Sequence, residues 1–178
     1  MTEKDFEKAV SEDLFTYLRG LEEIDERFPE MPDISAKWDQ IARSYLPDGI
    51  REYARYPTSS LGWMMYLGMA VAQFWDEDWN VYSSINDLYV YLRDKRGYDY
   101  MDEYIRQAVL KLSGREYQAL EKLVGECASR TNNKLIRAPF EPGTPVAFHA
   151  YTAALHQLFL TGAAVQLYRL GYHSVPLL

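Results

Sequence analysis

From Pro142 to Tyr168 the chain carries no Asp, Glu, Lys or Arg, and from Leu61 to Trp75 it carries a single polar side chain, Gln73. A helix with no polar face must be surrounded by protein or by lipid, because an exposed helix keeps one side for water. About 20 apolar residues suffice to span a bilayer. The longer stretch, however, contains two His, two Gln and three Thr, and many of its remaining positions are Ala or Gly. These are weak drivers of insertion. Two central helices wrapped by amphipathic neighbours account for the composition, and no membrane partner is expected.

Both stretches are rich in small residues. Gly62, Gly68, Ala70 and Ala72 lie in one; Ala150, Ala153, Ala154, Gly162, Ala163 and Ala164 lie in the other. Glycine costs a helix roughly 1 kcal/mol relative to alanine, so its presence points to close backbone approach. The two helices are therefore predicted to touch and to form the core. Leucine at Gly68 or Ala154 should overpack that contact by roughly 1–3 kcal/mol.

Helical periodicity marks the rest of the chain, and strand alternation is almost absent. Thr2 with Asp5 reads as a capping box, followed by a stripe of Val10, Leu14, Tyr17, Leu21, Ile24 and Phe28 that Pro29 and Pro32 end. A second helix starts near Ser35 with Trp38, Ile41, Ala42 and Tyr45, and Pro47 is expected to break or kink it. Ser84 is the cap candidate for a helix to Arg96 that Gly97 ends, and Asp99 opens another. Ser113 and Glu116 resemble a second capping box. Thr144 followed by Pro145 is the favoured cap order for the last helix, which Gly171 closes. The expectation is an all-α bundle of about seven helices around two apolar central ones, a single helical domain over residues 1–178.

Charge limits the partners. The chain has 19 basic and 26 acidic side chains, a net charge of −7, which argues against nucleic acid. The charge is uneven, with 8 basic and 18 acidic residues in 1–89 and 11 basic and 8 acidic in 90–178. The one cysteine, Cys127, cannot form an internal disulfide, and "MTEKDFEKAV" has no cationic segment leading into an apolar run. A cytoplasmic protein is expected on both counts.

Three constellations could carry function. The "WDEDW" run places Asp76 and Asp78 one residue apart, a spacing that hard-oxygen metal sites use; a solvated helix end is the simpler reading. His149 and His156, seven residues apart with Thr152 between them, share a helix side. They are expected to be partly buried and hydrogen-bonded, or to face a ligand pocket as ligands or a general base. Trp75, Trp79, Tyr91, Tyr98 and Tyr100 could form an aromatic partner surface. No nucleophile elbow, phosphate loop or zinc motif is present, and no cofactor is indicated. The pattern favours a non-catalytic interaction or regulatory module, self-associating through aromatics. The alternatives are a small-molecule binder or enzyme at the histidines and a metal protein at the aspartates.

Overall fold

The computed structural model describes residues 1–173 and is all-α, with eight α-helices among them. In chain order they are α1 (Glu3–Gly20), α2 (Pro32–Ser35), α3 (Trp38–Tyr53), α4 (Pro57–Tyr82), α5 (Leu88–Arg93), α6 (Met101–Tyr104), α7 (Gly114–Arg137) and α8 (Pro145–Arg169). A 3₁₀ turn at Tyr98–Tyr100 precedes α6, and a π turn at Ile105–Val109 follows it. No helix in the described chain is long and apolar enough to cross a membrane.

The two charge-poor stretches are α4 and α8, and they lie against each other at the centre. A Cβ built on Gly68 would stand 2.1 Å from the Phe159 carbonyl oxygen, and one on Gly162 would stand 2.2 Å from that of Met65. Backbone meets backbone at this crossing, so only glycine fits. Ala154, Ala163 and Ala164 are buried alongside. Gln73, the polar exception, accepts a hydrogen bond at Oε1 from Gln166 Nε2 at 2.7 Å and donates through Nε2 to Glu77. Both amides thereby keep partners where the two helices pack.

The other helices shelter this pair. In α1, Phe6, Val10, Leu14 and Leu18 face inward, and in α7 Leu120, Val124 and Cys127 do so. The capping box at Thr2 forms as expected, each partner's backbone N–H donating to the other's side chain. Helix α1 is shorter than its apolar stripe, because Glu22 takes a left-handed conformation with φ +58°. The Glu22 and Glu23 N–H groups then close on the Arg19 and Leu18 carbonyls, a helix-ending motif usually built on glycine. Ile24 still reaches the core from the loop, whereas Phe28 is exposed.

Three further boundaries differ from expectation. Pro47 lies inside α3 without breaking it, between buried Tyr45 and Gly49. Asp87, not Ser84, caps α5 by accepting from the Val90 N–H at 2.9 Å, while the Ser84 hydroxyl turns back to the Val81 carbonyl. Ser113 occupies the cap position of α7 without a side-chain cap bond, so the second capping box does not form. Thr144 caps α8 as read, and Gly171 has the left-handed φ of +94° expected of a terminator.

Candidate functional site: an apolar cleft over a buried hydroxyl network

Helices α3, α7 and α8 diverge at one end of the bundle and leave a cleft of about 690 Å³. Its walls are Ile50 and Tyr53 of α3, Leu135 and Ile136 at the end of α7, and Phe148 and Tyr151 of α8. The loop 138–144 closes one side with Phe140 and Pro142. Four apolar side chains around this region are exposed: Ile136 at 69%, Ile50 at 46%, and Phe148 and Val146 at 41% each. Isolated exposed apolar residues need no explanation, whereas apolar side chains grouped beside a concavity call for one.

The floor is polar and fully satisfied. Tyr53 and Tyr151 pack ring to ring at 5.1 Å. The Tyr151 hydroxyl meets Ser60 Oγ at 2.5 Å, and Ser60 Oγ donates to the Gly49 carbonyl at 2.7 Å. Tyr45 OH donates to the Ser60 carbonyl and lies 3.0 Å from Tyr98 OH. Tyr53 OH donates to Asn132 Oδ1 at 2.8 Å. Beyond them Tyr89 OH donates to Asp48, which also pairs with Arg93 at 3.1 Å. Burial pushes the Tyr45 and Tyr151 phenols well above their ordinary value and raises that of Tyr53. These hydroxyls therefore stay protonated and hold neighbouring backbone in place. Among the described residues, the lining contains no ionisable group besides the two tyrosines. Such a surface can bind apolar matter; it presents no activated nucleophile or base.

The histidines lie elsewhere. His149 is exposed rather than partly buried, with Nδ1 3.3 Å from Glu3 Oε1. His156 is half-buried, with Nδ1 3.3 Å from Glu7 Oε2 and its ring stacked on Trp38 at 4.8 Å. Gln157 donates to the same Glu7 oxygen at 2.6 Å, and Thr152 Oγ1 donates to the Phe148 carbonyl one turn back. This side of α8 is a seam with α1, and neither histidine lines the cleft.

Each acid of the 76–78 run has a protein partner. Asp76 Oδ1 accepts from Tyr172 OH at 2.6 Å, and Glu77 Oε1 accepts from Gln73 at 2.8 Å. Asp78 adopts φ −165° and ψ 81°, which interrupts α4, and its Oδ1 faces the Val81 N–H. Among the described residues, no group of three or more His, Cys, Asp or Glu is placed to hold a metal ion.

The five aromatics are not brought together: no ring contact joins any two of them among the described residues. Trp75 donates to Asp33 and packs edge-on to Tyr172, while Trp79 lies under the Lys37 ammonium. Tyr91 sits between Phe74 and Lys95. Tyr98 stacks on Trp63, whose indole donates to the Tyr98 carbonyl. Tyr100 alone is largely exposed, at 57%.

One buried charge had no counterpart in the sequence reading. Arg106, in the π turn, is 2% exposed and pairs with Asp102 at 2.8 Å and Glu121 at 2.7 Å. Its guanidinium lies 4.0 Å from the Tyr117 ring centroid, with Tyr66 beyond. Asp102 one turn before Arg106 was the available signal, because residues four apart share a helix face. All its contacts are internal, and they tie α6 and the π turn to α4 and α7.

Fold and cleft together describe a helical bundle with an apolar groove at one end. The chain matches no protein-family model, no curated protein and no solved structure.

Proposed function

We propose that this protein is a non-catalytic interaction module that self-associates, the apolar rim of one copy entering the cleft of a second. The carrying observation is that protruding Ile136, Ile50 and Phe148 stand beside the concavity on one face. A two-fold interface requires a single patch that complements itself. A ligand confined to the cleft would leave the rim wet, whereas a second copy covers both. The surface differs from the aromatic one expected from sequence, of whose members Trp75, Trp79, Tyr91 and Tyr98 each have partners of their own. A cytoplasmic location and the lack of a nucleic-acid partner belong to the same reading, on the single free cysteine and the net charge of −7.

Sedimentation equilibrium over a wide concentration range tests the proposal. A reversible dimer is expected, and Ile136→Glu should weaken it at least about tenfold, as for a central apolar contact. A monomer at every concentration refutes it. A small apolar ligand is the second reading, favoured by a cleft volume of about 690 Å³, within the usual range for ligand sites. A monomer that binds one equivalent of an apolar dye, with binding lost in Ala147→Phe, would select that reading.

A further inference from the structure

The loop 138–144 borders a second concavity, of about 400 Å³, between α1 and the C-terminal half of α7. Its α7 wall is polar. Arg130, Lys134 and Arg137 follow one another at steps of four and three, with Ser129 and Asn133 adjacent, so all five share one side of the helix. Arg130 is held in place: Nε and Nη2 donate to the two Asp13 carboxylate oxygens at 3.0 and 2.9 Å, and the guanidinium lies 4.6 Å from the Tyr17 ring centroid.

What remains is a set of donors with no protein acceptor among the described residues: Arg130 Nη1, Lys134 Nζ, the Arg137 guanidinium, the Asn133 amide and the Ser129 hydroxyl. Cations near the end of a helix complement its dipole, which accounts for the sign of Lys134 and Arg137. It does not account for their convergence in a concavity with a fixed arginine edge and two neutral donors. The opposite wall is apolar at Met1, Phe6 and Ala9, with Asp13 one turn further along α1. Two carboxylates also line the cleft. Asp13 is paired with Arg130, and Glu126, which makes no salt bridge among the described residues, lies close enough to act electrostatically on the Arg130 guanidinium.

We infer that this cleft binds a small phosphorylated organic molecule. The phosphate sits on Lys134, Arg137 and the free edge of Arg130, a donor set suited to its oxygens. The organic part lies toward Phe6 and Ala9, since the volume exceeds what a lone phosphate fills. Glu126 opposes the anion and limits its affinity. The site is separate from the apolar cleft and does not depend on self-association.

Isothermal titration at fixed ionic strength, with phenyl phosphate, inorganic phosphate and benzoate as probes, tests this. Phenyl phosphate is expected to bind more tightly than either of the others. Lys134→Gln with Arg137→Gln should weaken it at least about tenfold, as for hydrogen bonds to a charged group, and Glu126→Gln should tighten it. On the unaltered protein, amide chemical-shift changes on adding phenyl phosphate should centre on Ser129–Arg137, which keeps the test independent of how the variants fold. Equal affinity in the double variant, shift changes centred elsewhere, or no binding of any probe overturns the inference.

Discussion

Substituting Gly68 by alanine is the sharpest test of the central helix pair. In an ordinary helix interior the change is favourable by about 1 kcal/mol, because alanine is the better helix former. Here the new methyl group would meet backbone: the Phe159 carbonyl oxygen at 2.1 Å, its carbon at 2.9 Å and the Ala163 nitrogen at 3.0 Å. A side chain can rotate away from such a contact, but a carbonyl inside a helix cannot. Helices α4 and α8 must therefore separate, loosening Leu67, Phe159 and Val165, all fully buried. Overpacking of a core costs about 1–3 kcal/mol, and a backbone clash belongs at or above the top of that range. After the propensity gain, a net loss of about 2 kcal/mol is expected. Gly125 of α7 is the internal control, since nothing lies within 4 Å of its Cβ position; alanine there should stabilise by about 0.5–1 kcal/mol. Urea denaturation reads both as midpoint shifts at constant slope. Gly162→Ala should cost less in the Gly68→Ala background than alone, because the helices are already apart, and a double-mutant cycle measures that coupling. A Gly68→Ala protein as stable as the parent would refute the backbone contact and with it the central pair.

Other expectations are briefer. Ser60→Ala removes the partner of Tyr151 OH and of the Gly49 carbonyl, and should cost about 1–3 kcal/mol in the same assay. Glu22→Gly relieves a left-handed residue at φ +58° and should gain up to about 1 kcal/mol; a loss would show that the cap of α1 is not strained. Burial pushes the Cys127 thiol from 9.0 up to about 12. The folded state therefore keeps a proton that the unfolded chain releases, so this contribution is full below pH 9 and is lost as pH rises toward 12. Alkylation of Cys127 at pH 8–9 should track global opening, and fast reaction in the native protein would contradict its burial. With Asp76, Glu77 and Asp78 all bonded internally, calorimetry with and without EDTA should give one Tm, whereas a rise with a divalent metal would establish a site.

Much of the architecture was legible locally. The absence of charge from Pro142 to Tyr168 and the glycines at Gly68 and Gly162 pointed to a central pair, because an unpolarised helix has nowhere else to go. Thr2 with Asp5 and Thr144 with Pro145 marked helix starts through bonds that span three residues. Several readings missed because a local signal did not fix its own boundary. Ser84 reads as a cap, yet the helix begins later, behind Asp87, where Leu88 and Tyr89 are buried. The stripe through Ile24 and Phe28 suggested more helix than α1 contains, since a loop can deliver Ile24 to the core equally well.

Sequence alone determined that this chain is a helical bundle and which two helices lie inside it. Periodicity and charge report burial along one element, and that information is contained within each segment. The tertiary structure decided where the clefts lie, that His149 and His156 meet Glu3 and Glu7, and that Arg106 is buried between Asp102 and Glu121. Those outcomes depend on the angles at which helices cross and diverge. Ile50, Ile136 and Phe148 share a rim because the C-terminal turns of α3 and α7 meet the first turns of α8 there, an arrangement of three separate helices that no pattern within one of them contains.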